Sequence, residues 1–149
     1  GRGGGTLSEH WSNGVRSLHG LMTDGFPNLF MIGGNQHSVA AVNAVHLLDE
    51  QASHVAHIVG QVRQRNGTLV EPTAESVDAY TDLIRNAPAN GALMRFFAAC
   101  TPGYYNGEGK AASAADLFAG NRYGDGPMAF YEMLARWLQA QSLDGLSIG

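Results

Sequence analysis

The sequence predicts a mainly helical chain with a minor β component, an α+β fold built around one long amphipathic helix. Three observations predict it. Apolar residues recur at steps of three and four from about His37 to Asn66, two later stretches carry the same helical period, and one four-residue apolar run sits between turn signals. At 149 residues the chain is one domain's worth, read as a single domain over 1–149 with a flexible start at residues 1–5.

Composition narrows the function classes. A hydrophobic share of 44% and a charged share of 15% fit a folded globular chain. The net charge of -4 carries no electrostatic footprint for nucleic acid, and the nine basic residues are scattered rather than clustered for a membrane surface. The longest apolar run, Ala40 to Leu48, is broken by Asn43 and His46 and is too short to span a bilayer. No charged segment followed by an apolar one opens the chain, so no signal peptide is expected. The single cysteine, Cys100, cannot form an internal disulfide and suits a reducing, cytoplasmic location. The opening Gly1-Arg2-Gly3-Gly4-Gly5 lacks an initiator Met, which reads as the start of an excised piece; a complete small protein is the alternative.

The elements follow in order. Ser8 is a candidate cap for a brief helix through Trp11, ended by Ser12-Asn13-Gly14. Gly25-Phe26-Pro27-Asn28 is a turn, after which Leu29-Phe30-Met31-Ile32 reads as a strand buried on both faces and Gly33-Gly34 closes it. A single strand makes no sheet, so either chains pair through it or its sheet comes from sequence outside this chain; the second is favoured. The long helix places Val42, Val45, Leu48, Ala52, Val55, Val59 and Val62 on one face, with Asn66-Gly67 past its end behind Arg63 and Arg65. Thr68 to Pro72 is extended, because Pro72 disfavours helix at Glu71. Thr73 caps a helix with Val77, Tyr80 and Ile84 inward, stopping before Pro88. Short helices are predicted over Ala92 to Ala99 and Ala111 to Phe118, with loops at Thr101 to Lys110 and Gly120 to Gly126. The last helix starts at Pro127 and buries Phe130, Leu134, Trp137 and Leu138 before Asp144-Gly145.

The junction Gly33-Gly34-Asn35-Gln36-His37 is the first candidate site. Glycines ahead of a helix let a ligand approach the backbone, and the helix's first N–H groups attract electron-rich oxygens. A tight turn with no ligand fits the same residues. The stretch is not G-x-G-x-x-G, and no acidic residue follows at the spacing that holds a ribose.

Several motifs in order resemble the C-terminal third of Baeyer–Villiger monooxygenases. They are Thr6-Leu7-Ser8-Glu9-His10-Trp11, Gly25-Phe26-Pro27-Asn28-Leu29-Phe30, Gly33-Gly34-Asn35-Gln36 and Val70-Glu71-Pro72-Thr73, then Asn106-Gly107-Glu108-Gly109-Lys110 and Leu143-Asp144-Gly145-Leu146. The resemblance covers nearly the whole chain. It implies an FAD- and NADPH-dependent parent that oxidises ketones to esters or lactones. The apolar strand would belong to the parent's Rossmann-type FAD domain, and Gly33, Gly34, Asn35, Gln36 and His37 would border the isoalloxazine ring. A helix start near the ring's pyrimidine edge would stabilise negative charge on the reduced ring. Neither nucleotide fingerprint of the family is present, nor its linking signature, and its arginine beside the flavin has no identifiable counterpart. No catalytic residue is therefore assigned, the chain alone is expected to be inactive, and cofactor binding by it alone is not expected. Where the family often carries a tryptophan in a loop over NADP(H), this chain reads Cys100-Thr101-Pro102-Gly103-Tyr104-Tyr105-Asn106. Tyr104, Tyr105 and Asn106 are the weak candidates there, against a surface loop packed on neighbouring helices.

Other groupings favour plain readings. His46, Glu50, His54 and His57 share a stripe of the long helix, which reads as a solvated face, with a metal site or an interdomain surface as alternatives. Cys100 reads as a small buried hydrophobe, and Asn66-Gly67-Thr68 as a helix end rather than a glycosylation site. Rival functions are a helical partner-binding or self-associating domain and a small metal-binding protein. Self-association through surfaces meant for missing domains is expected.

Overall fold

A computed structural model of the chain describes residues 1–34, 36–37, 43–88, 99–102 and 122–149. Among them the order is a 3-10 turn (Arg2–Gly4), α1 (Leu7–His10), α2 (Ala44–Gln64), β1 (Val70–Pro72), α3 (Ala74–Asn86), α4 (Gly126–Ala140) and β2 (Leu146–Ile148). Helix dominates and β1 pairs only with β2, so the α+β class stands. The short helices expected over Ala92 to Ala99 and Ala111 to Phe118 fall almost wholly outside the described residues.

Capping chemistry sets the helix ends. α1 is capped by Thr6, two residues before the candidate cap Ser8. Its hydroxyl accepts the Glu9 N–H at 3.2 Å while the Glu9 carboxylate accepts the Thr6 N–H at 3.0 Å. The Thr6 hydroxyl, donating to Glu9 Oε2 at 2.6 Å, and then the Thr6 N–H hold the Glu9 carboxyl below its ordinary range. α2 begins at Ala44, capped by the Asn43 side chain on the Val45 N–H at 3.0 Å, and ends where Asn66 turns left-handed at φ 57°. Thr73 caps α3 through the Ser76 N–H, and Val77, Tyr80 and Ile84 are buried as the periodicity predicts. In α4, with Pro127 in its first turn, Phe130 and Leu134 are buried, while Trp137 and Leu138 are half-buried.

Two sequence expectations fail, for related reasons. Leu29 to Ile32 forms no strand: Leu29 to Met31 are half-buried, Ile32 is exposed, and the Met31 N–H donates to Leu21 O at 2.8 Å. A strand exists only with a ladder partner, and none among the described residues pairs with it. In α2 the face turned to the chain's own core is Leu47, Gln51, His54, Ile58 and Val62. Of the described members of the predicted face only C-terminal ones turn inward, Val62 buried and Val55 half-buried, while Val45 is 73% exposed and Leu48, Ala52 and Val59 are exposed. Apolar period located the helix correctly, but it could not tell which of two usable faces this chain packs against.

The core forms two adjoining clusters. One joins Leu18, Leu47, Val77, Ile84, Phe130 and Leu134 with Tyr80 and Tyr123. The other joins Leu21, Met22, Ile58, Val62, Val70 and Leu143 beneath Trp137. The strands pair antiparallel, Val70 opposite Ile148 and Pro72 opposite Leu146. Asn28 clasps the other side of β1: its N–H donates to Val70 O at 2.8 Å and its side-chain oxygen accepts the Val70 N–H at 3.0 Å. Arg2 reaches the same strand, donating from Nε to Glu71 Oε1 at 2.8 Å, and Gly149 O accepts the Thr68 and Leu69 N–H groups.

Gly145 joins α3 to the C-terminal strand at φ 81°, and its carbonyl accepts the Thr73 N–H and the Ser76 hydroxyl, both at 2.8 Å. A Cβ there would meet Ser76 Cβ at 2.8 Å. Gly145→Ala is expected to destabilise the chain by about 1–3 kcal/mol through this overlap and the left-handed backbone. Urea denaturation reads it directly, and an unchanged midpoint would contradict it.

Cys100 is exposed, not buried as its type suggests; the turn-forming Thr101-Pro102-Gly103 follows it directly. Among the described residues no helix is long and apolar enough to cross a membrane.

Candidate functional site

The Gly33–His37 junction is held from three sides. Gly33 takes φ 71° and its N–H donates to Gln51 Oε1 of α2 at 2.8 Å. A Cβ at Gly33 would come 3.1 Å from Leu48, so glycine suits both the backbone and the spacing. Gln36 is also left-handed, at φ 59°, and buried. Its side-chain oxygen accepts from Ser17 Oγ at 2.6 Å, its amide nitrogen donates to Val15 O at 2.9 Å, and its main-chain oxygen accepts the Tyr80 hydroxyl at 2.7 Å. The His37 carbonyl accepts the Tyr123 N–H at 3.1 Å. Burial raises the Tyr80 hydroxyl pKa well above its ordinary value, reinforced by Tyr123, so it stays a donor.

The helix start expected at His37 lies instead at Asn43, six residues on, with residues 38–42 outside the described ones. The positive end of α2 is thus not at Gly33–His37, and the turn offers backbone polar groups rather than a helix terminus. Asn35 falls outside the described residues, as do Tyr104, Tyr105 and Asn106.

Behind the turn lies a histidine pair that sequence reasoning did not bring together. His19 sits at φ 55° in the tight turn closed by Leu18 and Met22, and its Nδ1 lies 3.3 Å from Nε2 of His54. Tyr80 and Trp137 each meet the His19 ring edge to face, and Trp137 lies 4.7 Å from His54 between centroids. Burial lowers His19 to about 3, helped by His54; burial lowers His54 to about 4, helped by His57. Both rings are therefore neutral at physiological pH, one donating and one accepting.

This corrects the solvated-stripe expectation. His54 is buried and His57 is half-buried, whereas His46 remains outside, on the Tyr131 ring at 4.9 Å. Among the described residues no three His, Cys, Asp or Glu side chains converge to hold a metal ion. The spacing Leu47, Gln51, His54, Ile58, Val62 carried the missed signal, a second helical stripe with two polar members. Nothing local to Ser17 or His19 pointed to their partners.

The comparisons with known proteins bear on what this turn belongs to. No family model matches the chain. A Baeyer-Villiger monooxygenase of Streptomyces coelicolor is 44% identical over 148 residues, covering 98% of this chain and 23% of that protein. This chain corresponds to a segment of Baeyer–Villiger monooxygenases. An FAD-binding monooxygenase of Penicillium brasilianum is 36% identical over 162 residues, covering 99% of this chain and 24% of its own length. A polycyclic ketone monooxygenase from Thermothelomyces thermophila superposes with a TM-score of 0.80 at 32% identity, over 100% of this chain and 23% of that one. An oxidised steroid monooxygenase bound to NADP shares the fold, with a TM-score of 0.75 at 24% identity over 99% of this chain and 25% of that one. The chain thus spans about a quarter of the length of the relatives it matches.

Proposed function

We propose that this chain is the C-terminal part of an FAD- and NADPH-dependent Baeyer–Villiger monooxygenase that converts ketones to esters or lactones. The observation that carries the proposal is the 44% identity across 98% of the chain. The relatives' names supply the cofactor class: one is FAD-binding, and the steroid monooxygenase is bound to NADP.

The residues of the turn fit contact with a flat ring. Gly33 is exposed, Gly34 is half-buried without a side chain, and Ile32 lies exposed beside them. In this reading Gly33, Gly34, Asn35, Gln36 and His37 border the flavin, and Tyr104, Tyr105 and Asn106 lie toward the nicotinamide. FAD, when bound, supplies the redox chemistry, with NADPH as the electron source. The chain's own part is to present backbone groups in one orientation and to exclude water on the Ile32 side. In the same reading the four-residue apolar run Leu29 to Ile32, which has no ladder partner among the described residues, would pair within the FAD domain of the intact parent. Residues 1–149 act as one unit within a cytoplasmic enzyme, and the exposed valine face of α2 favours self-association of the isolated segment.

The test compares the full-length protein carrying this segment with the segment alone. The full-length protein is expected to purify yellow and to consume NADPH when given a ketone, while the segment does neither. A full-length protein that stays colourless after addition of FAD would remove the proposal.

A further inference from the structure

We propose that Gln51 is a positioning residue for the flavin-facing turn, holding the Gly33 N–H through its side-chain oxygen and so fixing the edge that Gly33 and Gly34 present. The proposal rests on reading Gly33–His37 as a border of the flavin site.

Gln51 projects from the middle of α2 and is fully buried. Its Oε1 accepts the Gly33 N–H at 2.8 Å, across 18 residues of sequence. Gly33 itself has no side chain to anchor it, and its left-handed φ of 71° places few steric limits on a glycine. A hydrogen bond from a packed helix supplies what the loop lacks, a fixed plane for the Gly33 peptide.

A second observation separates Gln51 from an ordinary brace. Its Nε2 is buried and has no hydrogen-bond partner among the described residues. Gln36, by contrast, uses both ends of its carboxamide, on Ser17 and on Val15. Buried amides ordinarily satisfy both ends. At Gln51 the bond to Gly33 is the carboxamide's one hydrogen bond among the described residues, so its placement serves the turn.

The experiment uses the full-length protein with Gln51→Met, which keeps length and removes the acceptor, and Gln51→Glu, which keeps an oxygen there. FAD affinity is measured by titrating the apoprotein, and the visible spectrum of the bound flavin is recorded. Gln51→Met is expected to weaken FAD binding by about tenfold, the scale of one lost hydrogen bond, and to shift the flavin band. Gln51→Glu is expected to recover most of the affinity and the parent spectrum. Parent-like affinity and spectrum in Gln51→Met would overturn the proposal, and so would equal losses in both variants. If Gln51→Met is not recovered folded, Gln51→Glu decides alone: a parent-like spectrum supports the role and a tenfold loss overturns it. An unsubstituted protein that binds no FAD would instead sink the flavin-site reading, and this role with it.

Discussion

Lowering the pH from 7.5 to 5 is expected to remove about 4 kcal/mol of stability from the folded chain, on the assumption of ordinary histidine behaviour in the unfolded state. The source is the buried pair His19 and His54, lowered to about 3 and about 4. Both folded values lie below the unfolded value of about 6.5, so the folded state holds both rings neutral. As pH falls below about 6.5 the unfolded chain takes up protons that the folded chain refuses. Stability is therefore full above that point, falls through the window toward 4, and His19 extends the fall toward 3. Each histidine contributes about 2 kcal/mol at pH 5, a large share of the roughly 5–15 kcal/mol that holds a domain together.

The groups facing the pair sharpen the expectation. Tyr80 and Trp137 pack against the rings and bring no charge, and His57 adds a like charge on protonation rather than a neutralising one. No carboxylate among the described residues is bonded to either ring. Urea midpoints at pH 7.5, 6 and 5, followed by tryptophan fluorescence, would measure the slope, since Trp137 touches both rings. His54→Gln is expected to halve the dependence. A midpoint that does not move between pH 7.5 and 5 would refute the neutral-pair account.

The second large effect is at Gln36. Gln36→Leu is expected to destabilise the chain by about 2–5 kcal/mol, because it leaves the buried Ser17 hydroxyl and the Val15 carbonyl without partners. Leucine at φ 59° adds backbone strain. The loss should be strongly non-additive with Ser17→Ala, because removing both ends of the 2.6 Å bond leaves fewer orphaned groups than removing one. Thermal denaturation of the two single variants and the double variant reads the coupling. Simple additivity would mean that the Ser17–Gln36 bond does not hold the turn.

Much of this architecture was legible in the residues. Caps at Thr73 and Asn66, the α3 face of Val77, Tyr80 and Ile84, and the extended segment before Pro72 follow from local chemistry that needs no partner. What stayed hidden depended on contacts between distant parts of the chain. The strand at Leu29 to Ile32 looked secure from hydrophobicity, yet a ladder is a property of two segments. α2 carries two stripes that merge toward its C-terminal end, and the more apolar one is exposed at Val45, Leu48 and Val59, so period alone misplaced most of the packed face. At the site, the glycines announced the turn, but Gln51, Ser17 and Tyr80 reach it from three separate stretches. No local pattern joins them.

The clasp at β1 gives the chain a closed character. Arg2 is fastened to Glu71 in β1, and Gly149 to Thr68 and Leu69 just before it, so the two ends grip one short stretch of chain. A pull between residues 1 and 149 would be borne by that clasp, leaving the helices unloaded. For the same reason, joining the two ends by a short linker and opening the chain elsewhere should preserve both core clusters. Mechanically, the segment behaves as a ring with its buckle at residues 68 to 71.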